Sequence, residues 1–179
     1  MSKPVNPLTF KIGNVWTSAE GSSVKHDLDA VLEFDPREIN AISSFTAELM
    51  LIKLKEEISV LLTNGSVKVR LICTRCLKQF TRDIEIKAAE RQFYAKEPSH
   101  KEEDINDIFL INMKDLTIDL SEMIRQEIIL HFPFIAVCST GCKGLCQRCG
   151  KDRNKRPCNC KAEITDSYQP FKDIKKLLK

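Results

Sequence analysis

The stretch Ser66-Val67-Lys68-Val69-Arg70-Leu71-Ile72-Cys73-Thr74-Arg75-Cys76-Leu77-Lys78-Gln79-Phe80 decides how this chain is read. Val67, Val69, Leu71 and Cys73 fall on one face, and Lys68, Arg70 and Ile72 on the other. That is the two-residue period of a half-buried strand. Alternation resumes over Phe80–Ala88. The reversal between the two runs falls on Cys73-Thr-Arg-Cys76, and a hairpin tip there presents two thiols together. Working backward, Phe45–Leu54 and Ile58–Thr63 also alternate, and Asn64-Gly65 carries the strongest short hairpin signal. The prediction is an antiparallel meander of about four strands.

The flanks add less. The first forty residues predict one or two further strands and a short helix near Pro36–Ile42. Lys96 to Asp107, with Pro98 and Glu102-Glu103-Asp104, reads as an exposed acidic loop. Ile108–Ile111 can return as a short strand. A helix is predicted from Asp119, where Asp119 and Glu122 fit a capping box. Leu120, Met123, Ile124, Glu127, Ile128 and His131 follow helical spacing, and Pro133 stops it. The expected fold is α+β: a mainly antiparallel sheet, as an open meander or closed toward a barrel, with one core helix. Residues 1–137 form the β-rich core in this reading. Residues 138–179 form a cysteine-rich tail ending in a short amphipathic helix, Pro170–Lys179, with Phe171, Ile174, Leu177 and Leu178 on its apolar side.

Eight cysteines mark the chemistry: Cys73, Cys76, Cys138, Cys142, Cys146, Cys149, Cys158 and Cys160. Two residues between sulfurs turn the chain so that both close on one soft cation. Leu145-Cys146-Gln147-Arg148-Cys149-Gly150 has the form of a zinc knuckle, whose backbone N–H groups donate to the thiolates and whose glycine permits positive φ. Cys158-Asn-Cys160 requires a bend, because an extended backbone points those side chains apart. The simplest partition gives Cys146, Cys149, Cys158 and Cys160 one ion, and Cys73, Cys76, Cys138 and Cys142 a second. An interleaved partition, or one site with spare thiols, is the alternative. Four thiolates leave no open position, so the expected zinc, one or two ions, is structural. The competing reading of Cys142-x3-Cys146-x2-Cys149 is an iron–sulfur protein. A disulfide framework belongs to secreted chains. Met1-Ser-Lys-Pro-Val-Asn-Pro7 lacks an apolar segment followed by a small-residue cleavage site, so no secretory signal is expected. No run approaches the ~18 apolar residues of a membrane span.

The net charge of +3 conceals an asymmetry. From Cys138 to Lys179 there are eleven Lys or Arg against four Asp or Glu, a surplus of +7. Basic charge around metal knuckles points to a polyanion. Against catalysis, His26, His100 and His131 are scattered, no Gly-rich phosphate loop occurs, and no serine sits in a G-x-S-x-G setting. A non-enzymatic binding protein is expected.

The motifs also come in a recognisable order. Val69-Arg-Leu-Ile-Cys73-Thr-Arg-Cys76-Leu77 is followed by Asp119-Leu-Ser-Glu122 and by Glu127-Ile-Ile-Leu130 to Phe132-Pro133. Cys138-Ser-Thr-Gly-Cys142-Lys-Gly-Leu-Cys146-Gln-Arg-Cys149-Gly150 and Cys158-Asn-Cys160 complete it. Over residues 45–179 this resembles the large ribosomal RNA subunit accumulation protein family (YceD-like) of bacteria and plastids. Departures include Gln147 where the family often has proline, and Asp152-Arg153-Asn154 where an Asn-Leu-Asn-like stretch is common. The resemblance implies a factor for accumulation, processing or assembly of large-subunit (23S) ribosomal RNA. Such a factor would act in a bacterial cytoplasm or plastid stroma, with no membrane. Its partner would be that RNA or the pre-50S particle, or alternatively a ribosomal protein or assembly factor. Lys143, Arg148, Lys151, Arg153, Lys155, Arg156 and Lys161 would then contact phosphates, and Arg75 would join them.

Overall fold

The structure is a computed structural model describing residues 6–97 and 108–160. Most of the acidic loop, Lys161 and the helix expected at Pro170–Lys179 lie outside the described residues. In chain order the elements are β1 (Thr9–Lys11), α1 (Gly13–Trp16), β2 (Ser23–Ala30), β3 (Phe45–Lys53), β4 (Glu57–Ile72), β5 (Gln79–Tyr94), β6 (Phe109–Leu110), β7 (Thr117–Asp119) and α2 (Ser121–Leu130). A five-stranded sheet runs β2-β3-β4-β5-β6, antiparallel except that β6 is parallel to β5. A small second sheet pairs β1 with β7. Both sheets are open, so the barrel alternative is not supported: β2 and the two-residue β6 are edges that do not meet.

Alternation explains the core. Phe45, Leu49 and Leu51 of β3 are buried beside Ile58, Val60, Leu62, Val67 and Val69 of β4. Leu120, just before α2, and Met123, Ile124 and Ile128 of α2 belong to the same buried cluster. Glu127 is also buried, and its Oε1 lies 2.6 Å from Arg91 Nη2 on β5. A carboxylate removed from water needs such a partner.

The expected hairpin at Asn64-Gly65 is instead a bulge inside one 16-residue strand, β4. The β4–β5 ladder runs through it in one register, from Glu57↔Tyr94 to Ile72↔Gln79. Only the β3 side slips, with Thr46 opposite Ser66 but Glu48 opposite Thr63. Asn64 takes φ 53°, which asparagine tolerates, and its amide donates to Glu48 Oε1 at 3.1 Å. The inward face of β4 thereby passes from Ile58, Val60 and Leu62 to Gly65, Val67 and Val69. Gly65 is there for space. A Cβ on it would stand 3.0 Å from Ile86 Cβ and 3.1 Å from Leu62 Cδ2. Gly65→Ala is expected to destabilise the fold by about 1–3 kcal/mol through overpacking, read as a lower urea midpoint at unchanged slope.

Two further expectations are corrected. Pro36–Ile42 is not a helix. Asp35 closes a turn with Arg37 and Ile39, and the chain then runs along β4, where Ala41 bridges Val69 and Asn40 O accepts the Arg70 N–H. β3 begins only at Phe45 and its pairing reaches β4 no further than Ser66, so the part of β4 beyond needs another partner for its backbone groups. The capping box does not form either. Asp119 is held in β7 opposite Thr9, and its Oδ1 accepts the Ser121 N–H at 2.9 Å while Glu122 turns to Arg125. The helix accordingly starts at Ser121.

Candidate metal centre

Both C-x-x-C segments fold into the same turn. At the β4–β5 tip the Cys73 N–H donates to Lys78 O and the Leu77 N–H donates to Cys73 O, each at 2.9 Å. In the tail the Cys146 N–H donates to Lys151 O and the Gly150 N–H donates to Cys146 O, each at 2.8 Å. The residue after the second cysteine has positive φ in both, 60° for Leu77 and 67° for Gly150. The underlying pattern is a repeat, Cys-Thr-Arg-Cys-Leu-Lys and Cys-Gln-Arg-Cys-Gly-Lys. Sequence reading missed it because leucine conceals the left-handed position that glycine announces.

These turns, with the linking chain, gather the sulfurs into two sets of four: Cys73, Cys76, Cys138 and Cys142, and Cys146, Cys149, Cys158 and Cys160. Within each set the sulfurs lie within 4.8 Å of one another. Cys73–Cys142 and Cys76–Cys138 are 3.8 and 3.7 Å apart. A tetrahedron with metal–sulfur bonds of about 2.3 Å has edges of about 3.8 Å, whereas a disulfide needs about 2.05 Å. All eight cysteines are free. The donor chemistry and spacing thus fit a soft cation in each set. Cys158-Asn-Cys160 converges because this stretch is not strand. The iron–sulfur triplet is divided, with Cys142 in the first set and Cys146 and Cys149 in the second.

The sets differ in burial. Cys73, Cys76 and Cys142 are buried among Phe80, Val137 and Leu145, whereas Cys149 is exposed. The first is the inner set, joining sheet to tail. Arg75 O accepts the Leu145 N–H at 3.0 Å, Arg75 Nη1 donates to Cys142 O at 3.1 Å, and Ala136 O accepts the Thr74 N–H at 2.8 Å.

Charge is unevenly shared within each set. Burial raises the Cys73 pKa, but the backbone N–H groups of Cys138, Cys76 and Arg75 outweigh it and bring the thiol down to about 6. The Lys78 N–H favours ionisation of Cys76, yet burial and the neighbouring thiols push it up to about 12. Burial also raises Cys138. In the outer set the Cys149 N–H, the Cys158 thiol and the Arg148 N–H lower Cys146 to about 6. Cys149 and burial push Cys160 up to about 12. Four crowded sulfurs do not all ionise by themselves; a cation removes that obstacle.

Between Cys138 and Cys160 the chain has six Lys or Arg and one acid, Asp152. Lys143, Arg148, Lys151, Arg153, Lys155 and Arg156 are exposed, as is Arg75 at the inner turn. The Asn154 backbone N–H holds the Asp152 carboxyl below its ordinary range.

Fold and site together define a mostly β protein whose C-terminal part is organised around two four-cysteine clusters able to hold metal ions. The chain belongs to the family described as Large ribosomal RNA subunit accumulation protein YceD, which it matches over residues 63–178. It is similar to the chloroplastic Large ribosomal RNA subunit accumulation protein YCED homolog 1 of Arabidopsis thaliana. Identity there is 39% over 59 residues, 32% of this chain and 18% of the relative. The homolog of the same name in Zea mays, also chloroplastic, is 40% identical over 61 residues, 34% of this chain and 21% of the relative. An uncharacterized protein of Mycobacterium tuberculosis is 31% identical over 91 residues, 50% of this chain and 43% of the relative. This chain therefore spans less than half the length of each of these relatives. No solved structure matches it. Among the described residues, no helix is long and apolar enough to cross a membrane.

Proposed function

We propose that this chain is a non-enzymatic biogenesis factor of the large ribosomal subunit. In this reading it supports accumulation, processing or assembly of large-subunit ribosomal RNA by direct contact with that RNA or the pre-50S particle. Structural zinc in both four-cysteine sets gives the tail its shape. Arg75, Lys143, Arg148, Lys151, Arg153, Lys155 and Arg156 meet backbone phosphates. One observation carries the proposal: the family match at residues 63–178 spans both cysteine sets and the basic residues around them. A rigid, basic, metal-held loop suits recognition by shape and backbone rather than by base edges.

The test neutralises Arg153, Lys155 and Arg156 together to glutamine and measures binding to large-subunit precursor RNA across salt concentrations. Each lost phosphate contact should flatten the logarithmic salt slope by about 1, with affinity falling at least about tenfold at low salt. Metal content serves as the folding control. Unaltered affinity at every salt concentration would count against direct contact. It would turn attention to a ribosomal protein partner, which the full exposure of Phe134 and the exposed Ile135 beside the inner set favour.

A further inference from the structure

We propose that Asn154 couples the two cysteine sets, so that an ion in the outer set tightens the hold of the inner set on its own ion. This rests on the metal reading above. Asn154 lies in the loop between Cys149 and Cys158, both members of the outer set. Its side chain leaves that loop and reaches the inner set. Nδ2 donates to Cys142 Sγ at 3.5 Å, and Oδ1 accepts the Lys143 N–H at 2.7 Å. The other Nδ2 hydrogen goes to Asp152 Oδ1 at 2.7 Å, which also accepts the Asn154 backbone N–H at 2.9 Å. Every polar atom of the amide is thus engaged, and its orientation is fixed by three partners.

Cys142 is buried, so an N–H donor reaching its sulfur from the protein is not readily replaced by water. A donor to a ligating thiolate stabilises its charge and aims its lone pairs. Loss of such an outer partner typically weakens metal binding by about 10–100-fold. The outer loop is tied back at two more points: the Arg153 N–H donates to Gly144 O at 3.0 Å, and Leu145 bridges Asp152. An ion that closes the outer loop therefore sets Asn154 in place before the inner set is filled. Linkage requires the effect to run equally in the other direction.

The experiment titrates the full chain with cobalt(II), whose four-thiolate absorption reports each set. Four forms are compared: the natural chain, Asn154→Ala, an outer-set variant (Cys149→Ser with Cys158→Ser), and all three changes combined. Asn154→Ala and the outer-set variant should each weaken the inner set by about tenfold. The combined form should be no weaker than either, because both break the same link. Asn154→Asp keeps an oxygen for the Lys143 N–H but has no hydrogen for sulfur, so it should behave like Asn154→Ala. Unchanged inner affinity in both Asn154 variants, or losses that multiply in the combined form, would overturn the coupling while leaving the metal reading intact. A natural chain that develops no four-thiolate absorption would overturn that reading and the coupling with it.

Discussion

Cys142→Ser is expected to abolish the inner ion and to release the segment from Ala136 to Cys160 from the hairpin tip. Cys142 brings the tail to Cys73 on the sheet, 3.8 Å away, and its carbonyl holds Arg75. Serine is a poor ligand for a soft cation. Without the cation, the buried Cys73 and Cys76 and the half-buried Cys138 crowd together with nothing to draw them to one point. Trypsin should then cut after Lys143, and amide signals of residues 73–78 should move. Cys149→Ser is the contrast. It removes an exposed member of the outer set, so one ion per chain should be lost while the hairpin tip keeps its tail contacts and the five-stranded sheet stays folded. Elemental analysis and limited proteolysis separate the two variants. A full metal complement with an unchanged cleavage pattern in Cys142→Ser would contradict the joint between sheet and tail.

That joint was legible in the sequence because thiols at knuckle spacing have few alternative uses. The grouping of Cys73 and Cys76 with Cys138 and Cys142 followed from assigning the compact remainder to one local set. The β3 strand, the tip at Cys73–Cys76 and the buried positions of α2 were legible for a similar reason, since each is a periodic pattern with a physical stop at its end. The Asn64-Gly65 bulge was not. An Asn-Gly pair supplies the positive φ needed by both a hairpin and a bulge, and the choice rests with distant partners. Here β5 accompanies β4 past the pair without a break, which no local window reveals. The β1–β7 pairing joins residues more than one hundred positions apart and has no local signature. The short α1 is likewise fixed from outside: Trp16, which ends it, carries the Lys53 ammonium 3.7 Å over its ring, a contact set by β3. Asn154 drew no reading of its own, standing only as the last residue of a stretch that departs from the family's usual one; its role depends on a fold-dependent approach to Cys142.

Two glycines in the tail provide a sharper test of how it is seated. Gly144 and Gly150 have nearly the same backbone, φ 68° and 67°. An alanine at either position meets the left-handed penalty, about 1 kcal/mol. Their surroundings differ. A Cβ on Gly150 would meet nothing within 4 Å, whereas one on Gly144 would stand 2.9 Å from the Arg75 carbonyl oxygen and 3.4 Å from Arg75 Cβ. Backbone cannot swing aside as a side-chain end can. That carbonyl also accepts the Leu145 N–H, and Gly144 O accepts the Arg153 N–H, so lifting the segment away strains both bonds. Gly144→Ala should therefore destabilise the docked tail by about 3 kcal/mol, adding overpacking to the φ penalty. At 1.4 kcal/mol per tenfold, inner-set metal affinity should fall by about 100-fold. Gly150→Ala should lower outer-set affinity by only about fivefold. The two proteins differ in where one methyl group is placed, not in charge, ligands or intrinsic backbone preference. If both lose affinity equally, the tail does not rest on the Arg75 carbonyl as described. If Gly144→Ala alone is severely weakened, the close passage of tail over hairpin tip, and not the sulfurs alone, fixes how the basic loop is presented.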